Sequence, residues 1–109
     1  MVVLGPKDNG HIQVVPLSAT GLAVVLPEDK TDALTWELLP YDETLLGLQG
    51  EPRFIPSTSD PNLGALVWTY DVLSEGNTEL RLQLVDEAGV TQQLFHVLVS
   101  IQELVPTPY

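Results

Sequence analysis

Apolar residues in this chain recur at every second position. Leu22, Val24 and Leu26 share one face of an extended segment. So do Leu34, Trp36 and Leu38, then Leu66, Trp68, Tyr70 and Val72, then Leu80, Leu82 and Leu84. Such alternation is the mark of strands with one face in a core. Ile12 and Val14 alternate with Gln13 in the first such segment. In the last, Phe95, Val97, Val99 and Ile101 lie on one side, with Leu94, His96, Leu98 and Ser100 on the other. Residues Pro52 to Ile55 add a short strand, for about seven in all. The helical period is nearly absent. Only YDETLLG, with Asp42 as a cap, suggests one helical turn.

Turn chemistry separates the strands. KDNG, SATG, PEDKTDA, STSDPNLG, SEGN and DEAG fall in the gaps, which hold most of the 9 prolines and 8 glycines. Short strands at this spacing predict an all-β fold, an immunoglobulin-like antiparallel β-sandwich. Trp68 and Tyr70 are expected in its core. Antibody-type domains pack a tryptophan on a disulfide, and Trp36 has no cysteine beside it, so the likeness is one of architecture. Residues 1–103 are expected to form one domain. Residues 104–109, with Pro106 and Pro108, are expected to be an extended tail.

Composition narrows the function. At 109 residues and 44% apolar, the chain suffices for one buried core. Its longest apolar stretch, Gly21 to Pro27, is too short to cross a bilayer, so no membrane insertion is expected. Residues 1–20 show no basic start followed by an apolar block, hence no visible signal peptide. The absence of cysteine excludes disulfides, thiolate zinc sites and a cysteine nucleophile. Fifteen acids stand against Lys7, Lys30, Arg53 and Arg81. Nucleic acid needs clustered cations, so none is expected as a partner. The acidity serves solubility first, and steering toward a basic protein second.

Residues that chemistry would need are sparse. His11 and His96 lie near no second candidate ligand in sequence and read as strand histidines. None of the 5 serines stands in a G-x-S-x-G elbow, and no glycine-rich phosphate loop is present. Carboxylate pairs such as Asp86 with Glu87 lack the cleft that hydrolysis would require. Glu28, Asp29, Asp32, Asp60, Asp86 and Glu87 are spread over three connections without an EF-hand pattern, so they read as solvated loops rather than a calcium site. No enzymatic activity, cofactor or metal is expected.

One further pattern points to a partner. The run DNGHIQVVPLSATGLAVVLPEDKTDALTWELL resembles the front of the chagasin-type inhibitors of papain-like cysteine proteases. The order that follows is similar too: VWTYDV, a glycine turn, LRLQL, a loop and FHVLVSI, so the resemblance spans about residues 8–102. It implies an immunoglobulin-like sandwich that places three loops in the protease cleft. The family's first loop reads N-P-T-T-G-Y-x-W. Here Asp29 to Trp36 reads DKTDALTW, matching at Thr31 and Trp36. The second, G-x-G-G, is PNLG here, matching at Gly64. The third carries R-P-W, and Asp86 to Gly89 reads DEAG with none of these. The framework matches and the reactive loops are degenerate.

The resemblance implies a partner-binding surface of Asp29, Lys30, Thr31, Asp32, Asn62, Gly64, Asp86 and Glu87, with a papain-like cysteine protease as the protein partner. It also implies a secreted, periplasmic or surface location. Six of the 15 acids fall in these loops, predicting a negative tip if the loops meet. The alternative is a structural β-sandwich subunit of a larger assembly, cell-surface, filament or virion. Its extended ends, MVVLGP and VPTPY, would then pack on neighbouring subunits.

Overall fold

The long strands LAVVLPED and LGALVWTYDV lie side by side and organise the first of two sheets. The computed structural model describes residues 1–103. They form β1 (Val2–Leu4), β2 (Ile12–Pro16), β3 (Leu22–Asp29), β4 (Thr35–Leu38), β5 (Leu46–Leu48), β6 (Arg53–Pro56), β7 (Leu63–Val72), β8 (Gly76–Val85) and β9 (Thr91–Gln102). A short 3-10 turn, Pro6–Asp8, is also present. The expected proline-containing segment 104–109 lies outside the described residues.

The first sheet runs β1-β3-β7, with β5 and β6 sharing the far edge of β7. Antiparallel register carries β3 along β7 from Leu22 opposite Tyr70 to Asp29 opposite Leu63. The second sheet runs β2-β9-β8-β4. Its spine is the β8–β9 hairpin, in register from Gly76 opposite Ile101 to Leu84 opposite Gln93, then shifted by a bulge before Val85. Pro16 and Pro56 sit in edge strands, where a missing N–H costs no ladder bond.

The alternating residues meet between the sheets. Leu22, Val24, Leu26, Trp68 and Tyr70 of one pack with Leu80, Leu82, Phe95, Val97 and Val99 of the other, all buried. Each such side chain contributes roughly 1.5–3 kcal/mol, so this layer dominates the stability. Trp68 and Tyr70 lie in the core as expected, at 2% and 0% exposure.

The sandwich is therefore all-β, as the alternation predicts, with finer differences. Nine strands form rather than about seven, because two three-residue strands, β1 and β5, carry too little pattern to read. Two pairings at the sheet edges are parallel, β1 with β3 and β2 with β9, so both sheets are mixed. MVVLGP thus supplies a strand to its own sheet. YDETLLG makes no α-helix. Its Asp42 caps a turn through the Thr44 N–H at 3.0 Å, and Leu46 enters β5. In β2 the phase is the reverse of that expected: Val15 is buried, while Ile12 and Val14 face outward at 68% and 45% exposure.

Candidate binding surface at the loop end

Three connections leave the same end of the sandwich. Loop 30–34 joins β3 to β4, loop 57–62 joins β6 to β7, and loop 86–90 joins β8 to β9. Their convergence follows from register. The end of β3 pairs with the start of β7, and the start of β4 pairs with the end of β8.

The first loop is a chain of aspartate turns. Asp29 Oδ1 accepts the Thr31 N–H at 2.9 Å and its hydroxyl at 2.6 Å. Those two bonds, the hydroxyl's first, hold the Asp29 carboxyl below the ordinary aspartate range. Asp32 Oδ1 then accepts the Leu34 N–H at 2.9 Å. Between them Ala33 takes φ +57°, the left-handed region that glycine enters without strain. In the pattern N-P-T-T-G-Y-x-W, Ala33 occupies the glycine position and Asp29 the asparagine position. Asparagine and aspartate both offer a side-chain oxygen to the residue two further on. The loop therefore has the backbone turns that the pattern's residues favour, made with different residues.

The second loop is tied to the first. Lys30 donates its N–H to the Asn62 carbonyl at 2.9 Å. The Lys30 ammonium lies 4.1 Å from the centre of the Phe54 ring on β6, a cation–π contact. Asp60 Oδ1 accepts the Asn62 N–H at 2.9 Å. Gly64 lies within β7 rather than in the loop. A Cβ there would fall on the Ile55 carbonyl oxygen, so glycine lets β6 approach β7 closely.

The third loop turns around one carboxylate. Asp86 Oδ1 accepts the N–H groups of Ala88 and Val90, both at 2.9 Å, and Oδ2 accepts from Gln92 at 3.1 Å. Gly89, at φ +81°, completes the turn.

The eight residues singled out in the sequence all lie at this end. Asp32, Ala33 and Leu34 share one open hollow with Asp86, Glu87 and Ala88. On its other side Asp32 shares a second hollow with Asp29, Trp36 and Gly64. The first loop is thus central, flanked by the other two. Five of the six loop acids border these hollows, Glu28, Asp29 and Asp32 on one and Asp32, Asp86 and Glu87 on the other, while Asp60 lies in loop 57–62 at the same end. Four of the six, Asp29, Asp32, Asp60 and Asp86, each accept a backbone N–H of their own loop, so the negative tip is partly turn structure. Among the described residues no three His, Asp or Glu side chains gather as metal ligands. The surface offers shape, charge and hydrogen bonds. Phe54 is missed by sequence reading because nothing local places it under Lys30. Ala33 is a second omission, visible only by its position in the family pattern.

No family model matches the chain, and no curated protein matches it. Solved structures do. The cysteine protease inhibitor EhICP2 from Entamoeba histolytica superposes with a TM-score of 0.77 at 16% identity, over 93% of this chain and 95% of that one. Amebosin matches at 0.69 and 12% identity, over 93% and 97%. PbICP-C, solved in complex with falcipain-2, matches at 0.69 and 8% identity, over 94% and 100%. At such identities the likeness is one of fold across essentially the whole length of each protein. This chain has the fold of the chagasin-type cysteine protease inhibitors.

Proposed function

We propose that this chain is a non-enzymatic protein-binding module that occupies the cleft of a papain-like cysteine protease with its loop end. The observation that carries this reading is the first loop. Its left-handed turn at Ala33 and its Asp29–Thr31 turn are those the inhibitor pattern favours, although only Thr31 and Trp36 match by type. A residue held at a strained φ is explained when the loop's shape is what is used. The fold shared with an inhibitor and with a protein solved in a protease complex supports the same reading.

In this reading the module acts sterically. Loop 30–34 enters the cleft, loops 57–62 and 86–90 brace it on either side, and substrate is excluded. Thr31 and Asp32 present the leading edge. Asn62, Asp86 and Glu87 line the flanks, with Lys30 held back on Phe54. The acidic tip favours a protease with a basic cleft rim.

The reading is tested by calorimetric titration of the protein into a papain-like protease, free and with its active-site cysteine alkylated by a bulky reagent. Binding to the free enzyme that is lost on the blocked enzyme supports cleft occupation. Equal binding to both, or to neither, contradicts it.

A further inference from the structure

The turn KDNG, which leads into β2, holds a reactive pair that the binding surface does not use. An asparagine followed by glycine is open to an uncatalysed reaction, because glycine has no side chain to shield its nitrogen from the asparagine carboxamide. The other two asparagines, Asn62 and Asn77, precede Leu63 and Thr78, whose side chains crowd that nitrogen. Asn9 and Gly10 are the centre of a type II turn. Asn9 has φ −57° and ψ 129°, Gly10 has φ +79°, and the His11 N–H donates to the Asp8 carbonyl at 3.0 Å.

The folded chain engages both reacting groups. The Gly10 N–H donates to the His96 carbonyl at 2.8 Å. The Asn9 carboxamide accepts the His96 N–H at 2.9 Å and donates to the Leu94 carbonyl at 3.3 Å. Asn9 thus adds a side-chain rung to the parallel β2–β9 pairing, ahead of Ile12 opposite Leu98. Ring closure also needs the Gly10 nitrogen eclipsed with Asn9 Cβ, and at ψ 129° it is turned well away.

We propose that Asn9 is a deamidation site, held closed while β2 is docked on β9 and opened when β2 detaches. β2 is an edge strand with Val15 as its buried anchor, so its release is a local opening that does not require the whole core to unfold. Once released, the Gly10 nitrogen gives its proton to solvent base and attacks Asn9 Cγ. The Cγ–Nδ2 bond breaks, the side-chain nitrogen takes up a proton and leaves as ammonia, and a five-membered imide closes. Water then opens either of the two C–N bonds of the imide, leaving aspartate or isoaspartate. Nothing is oxidised or reduced.

The product no longer fits. A carboxylate keeps the His96 N–H but sets its second oxygen against the Leu94 carbonyl, acceptor against acceptor. It also brings charge to the edge of a cavity of about 50 Å³ that Asn9 shares with Leu26, Trp36 and Phe95. Isoaspartate adds a methylene to the backbone and moves Gly10 off the His96 carbonyl. Each opening that reacts therefore leaves β2 undocked, beside the Trp36 ring at the base of the loop end.

Peptide-mapping mass spectrometry of the whole chain, incubated in mildly alkaline buffer with and without denaturing urea, reads the site directly. In urea Asn9 is expected to convert to aspartate and isoaspartate while Asn62 and Asn77 persist. Without urea the conversion is expected to be slower by at least about tenfold, the protection that a docked strand gives. Val15→Ala, which loosens β2, is expected to speed it in the folded chain. Leu46→Ala, in the core on β5 of the other sheet, is expected not to. Asn9→Asp is expected to lower the thermal midpoint. Equal rates with and without urea overturn the proposal, as does an Asn9 that persists in urea, and neither outcome depends on a variant that folds. Equal acceleration by Val15→Ala and Leu46→Ala overturns it too, because the opening is then global rather than that of β2. An Asn9→Asp chain as stable as the parent contradicts the loss of docking.

Discussion

Trp36 donates its indole N–H to the carbonyl of Pro27 at 3.0 Å, joining β4 of one sheet to β3 of the other beneath the loop end. The ring itself is buried. One residue thus closes the core and fixes both ends of loop 30–34. Trp36→Phe keeps most of the apolar contact but leaves a half-buried carbonyl without its partner. It is expected to cost about 1–3 kcal/mol by urea unfolding. Hydrogen exchange at Leu34 is expected to rise in the same variant. A variant as stable as the parent contradicts the linking role.

Ala33 tests the loop's backbone. A left-handed conformation costs an L-residue about 1–2 kcal/mol, and glycine escapes that cost at the expense of a more flexible unfolded chain. Ala33→Gly is therefore expected to leave stability unchanged or raise it by up to about 1 kcal/mol. Ala33→Val is expected to lower it, because a β-branched residue tolerates positive φ least. Equal thermal midpoints for the glycine and valine variants would be incompatible with this turn.

Asp29 and Thr31 predict a pH response with a definite sign. The Thr31 bonds favour the charged carboxylate, so the folded-state pKa is lowered. The stabilising contribution is present above the ordinary aspartate range and is lost as pH falls through the lowered value. In Thr31→Val the hydroxyl bond is gone, and the Asp29 carboxyl is expected to titrate nearer the ordinary range. Carboxyl carbon NMR against pH checks this. An unchanged Asp29 midpoint would falsify the assigned cause.

Gly64 separates packing from binding. An added Cβ meets the Ile55 backbone, which cannot rotate away as a side chain can. Gly64→Ala is expected to destabilise by about 1–3 kcal/mol with no partner present. A fully stable Gly64→Ala protein would return this glycine to a role in contact alone.

Tyr70 carries an unused hydroxyl. Its oxygen is buried without a hydrogen-bond partner among the described residues, and burial pushes its pKa up. Its ring packs edge-on to Tyr41 at 5.6 Å, a contact that phenylalanine keeps. Tyr70→Phe is expected to raise the thermal midpoint, since an unsatisfied buried donor costs about 1–3 kcal/mol. A lower midpoint would mean that the hydroxyl has a partner.

The period-two pattern made the central strands legible, because a strand with one face in the core writes that face into every second residue. Trp68, Tyr70 and the Phe95–Ile101 run follow it. The edges were less legible. In IQVVP two adjacent valines permit either phase, and it is Val15, not Ile12 and Val14, that faces the core. The residues of β5 sat inside a plausible helical turn, which the pairing with β7 overrides. At the loop end, the aspartate turns are local and follow from residue type. The Lys30–Phe54 contact and the crowding at Gly64 depend on β6 lying against β7, which no local pattern records.

The most direct test of the central reading is titration of a papain-like cysteine protease with the purified chain, reading residual activity on a peptide substrate. Submicromolar inhibition that weakens at least about tenfold in Thr31→Ala, as loss of a binding hot spot does, is the result expected. Full protease activity at high micromolar protein would contradict it.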